Sequence, residues 1–402
     1  MKKIIASAVG LVLVGGVAVT NAAAVESQFG GYWRTRMFFQ DDFVQNDLGT
    51  GAGSYNRTDT RTRLFYTAKF NDDFKFVNAF EFNANYGDSN GGDIGTDGNT
   101  FVVKHSYADF TLGNVNTKLG LQGAVISRGF LFDDDFAGAV VTADFGSVKL
   151  PVVYISGPQD DVNNGTVADP NDNDTHIVSL MPSFNVNDAI KLTPHVTWAT
   201  LTEEDTDVYF LGIDADMKFD AVSAWGTFIY NGGEVDNGAG VDSSDISAFL
   251  VAAGADAGLV HGQAFYASGD DDLADDEIDG FISPEGSSYY WSEIMGLGVF
   301  DNAVPNGIPG GGGDTTNIWA ANLGVTLKPM DKLKFDFDVW YAQLAEENAA
   351  GDDELGLEFD GKLTYALMDN LNAEFIFAYL VADDALGDDD IMEGGVRVSL
   401  KF

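Results

Sequence analysis

Arg34 and Arg36, and again Arg61 and Arg63, stand two residues apart, the spacing that puts both side chains on one face of an extended strand. Arg397 repeats the type at the far end of the chain. Guanidinium groups held side by side repel, so a row of them persists where water or facing carboxylates screen it. Carboxylates are plentiful: Asp133, Asp134 and Asp135 are consecutive, and 270–279 and 383–390 are further acid-dense runs. Fixed charges of this kind sort ions by their field. They do not by themselves turn over a substrate.

Catalytic constellations are missing from the sequence. His105, His176, His195 and His261 show no metal-ligand spacing such as H-E-x-x-H, and there is no G-x-S-x-G elbow. The expectation is therefore a non-enzyme without a cofactor. The acidic runs, with 169–174, are oxygen-rich enough to hold Ca²⁺ or Mg²⁺ loosely. None carries the Gly and Glu positions of the twelve-residue calcium loop, so a solvated acidic face bridged by divalent ions to lipid phosphates is the plainer expectation. The balance of 63 acidic against 21 basic residues, a net charge of −42, excludes nucleic acid as a partner. With no cysteine there is no disulfide and no thiolate site.

The elements that would position these charges are strands. In 332–343, Leu333, Phe335, Phe337, Val339 and Tyr341 oppose Lys334, Asp336, Asp338 and Trp340. In 354–366, Leu355, Leu357, Phe359, Leu363 and Tyr365 oppose Glu358, Asp360, Lys362 and Thr364. In 206–219, Leu211, Ile213, Ala215 and Met217 oppose Asp214, Asp216 and Lys218. This period-two pattern recurs in about eighteen segments from 27–40 to 391–402, or sixteen if the weak pair at 244–268 is wrongly split. Connections alternate between tight turns such as Asn71-Asp72-Asp73 and longer Gly/Asp/Asn-rich stretches. Short turns on one side and long loops on the other fit an all-β, antiparallel, up-and-down transmembrane barrel. In hydrocarbon only closure pairs every backbone group of a sheet. A secreted sandwich or solenoid is the soluble alternative.

Both ends of the sequence agree. Met1-Lys2-Lys3, the apolar stretch 4–19 and the small residues before Ala24 read as a signal peptide over 1–24, leaving 25–402 as one barrel domain. Val396, Val398, Leu400 and Phe402 share one parity of a final strand that ends on an aromatic residue. Such a strand resembles the closing strand of bacterial outer-membrane barrels.

The chain as a whole resembles the general bacterial porins. Lys104-His-Ser-Tyr-Ala-Asp109, Leu119-Gly-Leu-Gln-Gly-Ala-Val125 and Phe132-Asp-Asp-Asp-Phe-Ala-Gly138 resemble the homotrimeric porins of sulfate-reducing and related deltaproteobacteria. The resemblance implies a trimeric, water-filled channel for passive diffusion of small hydrophilic solutes and ions. It also implies the outer membrane of a Gram-negative cell, among lipid and lipopolysaccharide. In such porins the third long loop folds inward and sets acids against a basic ladder on the wall. Here that loop would be 127–136. Asp133, Asp134 and Asp135 would face Arg34, Arg36, Arg61, Arg63 and Arg397, gathered on three adjacent strands by closure. The arginines could equally pair with Asp59 and Glu81 and simply stabilise the wall. The acidic excess favours cations. A substrate-selective channel and a structural or adhesive barrel are the alternatives. In the latter the loop at 269–314, with Tyr289-Tyr-Trp291 and its glycine run, would contact a partner, plug the pore or latch onto a neighbouring subunit.

Overall fold

A computed structural model describes residues 25–43, 54–87, 100–157, 175–201, 206–236, 243–272, 275–387 and 389–402. The expected signal peptide and the acidic run 169–174 lie outside these residues. The strand segments are β1 (Glu26–Asp41), β2 (Tyr55–Asn71), β3 (Phe74–Asn85), β4 (Thr100–Leu112), β5 (Val115–Ile126), β6 (Phe132–Asp144) and β7 (Val148–Ser156). They continue as β8 (His176–Leu180), β9 (Ser183–Asn187), β10 (Ile190–Leu201), β11 (Thr206–Phe219), β12 (Val222–Val235), β13 (Ser244–Ala257) and β14 (Val260–Ala267). The rest are β15 (Glu277–Ile278), β16 (Ile318–Met330), β17 (Leu333–Leu344), β18 (Glu354–Met368), β19 (Leu371–Ala382) and β20 (Ile391–Lys401).

β8 and β9 both pair with β7 and β10 and are one barrel strand, interrupted where Pro182 has no N–H to give the ladder. β15 is a two-residue strand lying parallel to β13, outside the run of wall strands. The wall is therefore a closed antiparallel barrel of 18 strands, with β20 pairing back onto β1. The sixteen-strand alternative falls, because β13 and β14 are separate, fully paired strands. Tight turns at one end use side chains that mimic backbone. Asn71 Oδ1 accepts from Asp73 N at 2.9 Å, and Asp144 Oδ1 accepts from Gly146 N at 2.8 Å, where Gly146 has φ +82°.

The outside of the wall is apolar. Leu323, Phe101, Phe375, Leu119 and Phe228 are exposed there. Buried charges such as Arg36, Asp59, Glu81, Glu358 and Glu393 lie on the other parity. Soluble proteins bury the apolar set and expose the charged one; here the order is reversed. A second, apolar lining covers part of the interior, where Val153, Ile155, Ile177, Val208, Phe210, Ile229 and Leu250 are all buried. They form a core with Phe281, Ile294 and Met295 of the connection between β14 and β16. The hydrophobic core thus sits inside the barrel, between wall and inward loop.

Parity assigns Phe337, Leu357, Leu211 and Ile213 to the exposed side, as the alternation predicts. Leu355 is a correction: it is fully buried in the interior core. The β17–β18 register shifts between Ala342/Gln343, and Gly356, at φ +127°, absorbs the extra residue. Such a bulge turns the preceding side chain to the opposite face.

Candidate pore constriction

Closure brings the five arginines together on β20, β1 and β2. Arg36 stands directly opposite Arg397, and Arg34 opposite Arg61. Like charges in register destabilise a sheet, and here acids interleave with them. Asp59 accepts a fork from Arg36, with Nε–Oδ1 and Nη2–Oδ2 both at 2.9 Å. Arg57 approaches the same carboxylate at 3.3 Å. Glu81 is shared by Arg61, at 3.3 Å, and Arg63. Glu374 takes two bonds from Arg397, at 2.6 and 3.0 Å. The wall pairing with Asp59 and Glu81 is therefore present.

The charges facing this wall come from a different place than the sequence suggests. The connection between β5 and β6 is not a long loop: β6 begins at Phe132, so only 127–131 remain. Asp133, Asp134 and Asp135 belong to the β6 ladder, opposite Val125, Ala124 and Gly123. Asp135 is tied to Lys104 and, at 3.0 Å, to His105. Of the five arginines, Arg63 alone joins the three aspartates in lining one cavity, of about 460 Å³.

The short turn nonetheless crosses the lumen. Ser127 and Arg128 take consecutive left-handed conformations, φ +47° and +59°. Ser127 Oγ donates to Asp214 at 3.0 Å, and Arg128 donates to Asp216 at 2.7 Å and Thr227 at 3.1 Å, on β11 and β12. Bonds to the opposite wall hold a backbone that non-glycine residues otherwise avoid.

The main obstruction is the connection 268–317. Ile282 N donates to Asn231 on β12 at 3.0 Å, and Ser288 N donates to Gly129 O at 2.9 Å. Tyr289 stacks on Phe130 with ring centroids 3.9 Å apart. Fully buried Glu358 accepts from Ser292 Oγ (2.9 Å), Ile294 N (2.7 Å) and Met295 N (3.0 Å), closing off a whole turn of the loop. At the arginine wall Phe300 stacks on Phe38 at 4.7 Å, and Arg36 donates to Phe300 O. Asp301 pairs with Arg36 and, at 3.6 Å, with Arg34. Asn302 bridges Arg57 at 2.6 Å and Gln40 at 2.7 Å.

Burial raises the Glu293 carboxyl above the usual carboxylate range, with the Val299 N–H and Lys362 opposing and Glu358 adding to the shift. Burial also raises Asp314, whose Ser287 hydrogen bond opposes it, and pushes the Tyr289 phenol up. Among the described residues, no three His or acidic side chains converge to hold a metal ion.

The fold has solved counterparts. OccK9 (OpdG) of Pseudomonas aeruginosa is 15% identical and matches over 94% of this chain and 99% of its own, with a TM-score of 0.63. The outer membrane protein opdK of the same organism is 14% identical, with 94% and 98% covered and a TM-score of 0.61. OccAB1 of Acinetobacter baumannii is 11% identical, with 94% and 96% covered and a TM-score of 0.60. At these identities the likeness is one of fold. No family model and no curated protein matches the chain.

Sequence reasoning missed Asp301, Arg128 and Lys104 as parts of the site. Arg128 carried no periodic signal, and Asp301 lies in a stretch with no alternation at all. Glu358 was legible as an inward residue, but not as the anchor of a loop.

Proposed function

We propose that this chain is an outer-membrane porin, a water-filled channel through which small hydrophilic solutes and ions diffuse passively, without turnover. The observation that carries this is a closed barrel, apolar outside, with a charged and ion-paired lumen narrowed by an inward loop. Such a wall suits hydrocarbon outside and water within. The likeness in fold to opdK, an outer membrane protein, supports the same location.

In this reading Arg34, Arg36, Arg61, Arg63 and Arg397 are the basic side of the constriction. Asp301 faces Arg34 and Arg36, and Asp133, Asp134 and Asp135 face Arg63 across a cavity. The arginines are largely neutralised by their own acids, so the excess negative charge elsewhere gives a moderate cation preference. Export by a cleaved signal over 1–24, contact with lipid and lipopolysaccharide, and a homotrimer complete the proposal. The trimer rests on the resemblance to porins of sulfate-reducing bacteria. A substrate-selective channel is the second reading, and one observation favours it: Phe281, Ile294 and Met295 of the loop pack against the wall, so the loop fills part of the lumen.

Single-channel recording on purified protein in planar bilayers tests both. A steady ohmic conductance with a reversal potential favouring K⁺, declining as salt rises over the 8–10 Å screening range, is expected. No conductance from a folded barrel removes the porin reading, and anion preference at low salt removes the cation preference. Saturation of flux by one solute selects the second reading. Light scattering in detergent reads the trimer.

A further inference from the structure

Charge is spread unevenly along the barrel axis. The long connections lie at one end of the strands and the tight turns at the other. At the long-loop end, connection 268–317 has eleven Asp or Glu residues, 345–353 has four and 383–390 has five, and none of the three contains a Lys or Arg. Asp271, Asp276, Glu277, Glu347, Asp384 and Asp390 are exposed there. The short-turn end is built differently. Ten of the twelve lysines in 25–402 stand within four residues of a tight turn or of the end of β20, the exceptions being Lys104 and Lys362.

The lysines at that end meet acids. Lys69 pairs with Asp72 at 2.6 Å, Lys75 with Asp109 at 3.1 Å, Lys149 with Asp144 at 3.7 Å and Lys334 with Asp336 at 2.8 Å. Lys191 and Lys218 line one cavity, of about 350 Å³, together with Asp188 and Asp216. Between the two ends the arginine wall is met by Asp59, Glu81 and Glu374. The unbalanced negative charge is therefore concentrated at the long-loop mouth.

Fixed acids crowded at one mouth raise the local concentration of cations and lower that of anions. When a voltage drives cations inward from the long-loop end, they enter from an enriched layer. Anions drawn from the other bath pass the balanced short-turn mouth and are held back at the acidic one. Both ions then accumulate in the lumen, and conductance rises. The opposite voltage drains the lumen of both, because the acidic mouth lets cations out and supplies few anions. We propose that this barrel is a rectifier for cations, conducting them better from the long-loop end to the short-turn end than in reverse. The proposal rests on the channel reading and adds a direction to it.

Single channels in planar bilayers, recorded at equal voltages of both signs, test this. Currents are read on the open level, so that voltage-driven closure does not enter. The chain has no cysteine, so Ala349→Cys, exposed between β17 and β18, can carry a biotin-maleimide. Streptavidin added to one bath then reports which end faces it. In KCl at about 0.01 M, where charge is screened over about 30 Å, the current with the long-loop bath positive should exceed the reverse current roughly twofold. At about 1 M, with screening over about 3 Å, the asymmetry should vanish. Asp271→Asn, Asp276→Asn, Glu277→Gln, Asp384→Asn and Asp390→Asn together should reduce the low-salt asymmetry and the cation preference. Lys191→Met with Lys218→Met should also reduce the asymmetry but increase the cation preference, because the second mouth then becomes acidic. The heat-dependent gel shift of a folded barrel monitors each variant. Equal currents in the wild type at low salt, the opposite sign, or an asymmetry that neither folded variant reduces overturns the rectifier and leaves the porin. No conductance from a folded barrel overturns both.

Discussion

Asp301, in the inward loop, forms an ion pair with Arg36 on the first barrel strand across 265 residues of chain. Arg36 is already held by Asp59, so Asp301 is the second acid on one guanidinium and a neighbour of Arg34 as well. The pair joins the charged wall to the inward loop without any backbone ladder between them.

Asp301→Asn should loosen the loop at this wall and leave the barrel folded. Loss of a charge-assisted bond costs about 1.5–3 kcal/mol, read here against a side chain that keeps some solvent contact. The expected outcome is a larger and noisier single-channel conductance at unchanged yield of folded barrel. Unchanged conductance would place the pair away from the narrowest section.

Glu358→Ala should act more strongly on the same loop. It removes the acceptor for Ser292 Oγ and for two backbone N–H groups, of Ile294 and Met295. Each buried donor left without a partner costs about 1–3 kcal/mol. Limited proteolysis should then cut within 288–300, where the wild type resists. Glu358→Gln keeps one carbonyl acceptor and should lie between the two; a wild-type cleavage pattern for Glu358→Ala would refute the anchoring role.

The docked loop should hold more tightly in acid than in base. Burial raises the Glu293 carboxyl in the docked state, with Glu358 close by and Lys362 and Arg397 partly compensating. Below the ordinary glutamate range the docked and free forms are both protonated and the stabilisation is fully present. As pH rises toward the raised value, the free form loses its proton first and docking weakens; above the raised value the loss is complete. Asp314 is raised too and has the same sign. Protease accessibility of the loop should rise with pH in the wild type and rise less in Glu293→Gln.

The two faces of a strand should differ in their tolerance of charge. Phe337 is exposed on the apolar outside of β17, while Thr364 shares the inward parity of Glu358 and Lys362 on β18. Phe337→Lys should cost about 2–4 kcal/mol of barrel stability in a bilayer, and Thr364→Lys much less. Equal loss of folded barrel in urea titrations of the two variants would reverse the assignment of faces.

Neutralising Asp133, Asp134 and Asp135 to Asn should change selectivity less than Asp301→Asn does. Asp135 is compensated by Lys104 and His105, whereas Asp301 meets the arginine wall directly. Reversal potentials of the two variants at low salt compare them; a greater shift in the triple variant would move the constriction to the β5–β6 side.

Alternation alone determined the wall of this protein. A strand has period two, so Phe337 beside Asp338, or Leu357 beside Glu358, already states which side each faces. Eighteen such strands with tight turns between alternate pairs leave little choice but a closed antiparallel barrel, and closure sets Arg397 beside Arg36. Pairing of Arg36 with Asp59 and of Arg63 with Glu81 follows from the same parity on adjacent strands. What the tertiary structure decided is everything that breaks the period. One extra residue at Gly356 turned Leu355 inward, and the early start of β6 put Asp133 to Asp135 into the ladder. The loop 268–317 has no period to read; its place depends on Asn231, Glu358 and Arg36, which the chain brings near only after the barrel has closed. Local spacing fixes which face a side chain takes, but the partner of a loop residue is chosen by packing and by unmet hydrogen bonds across the lumen.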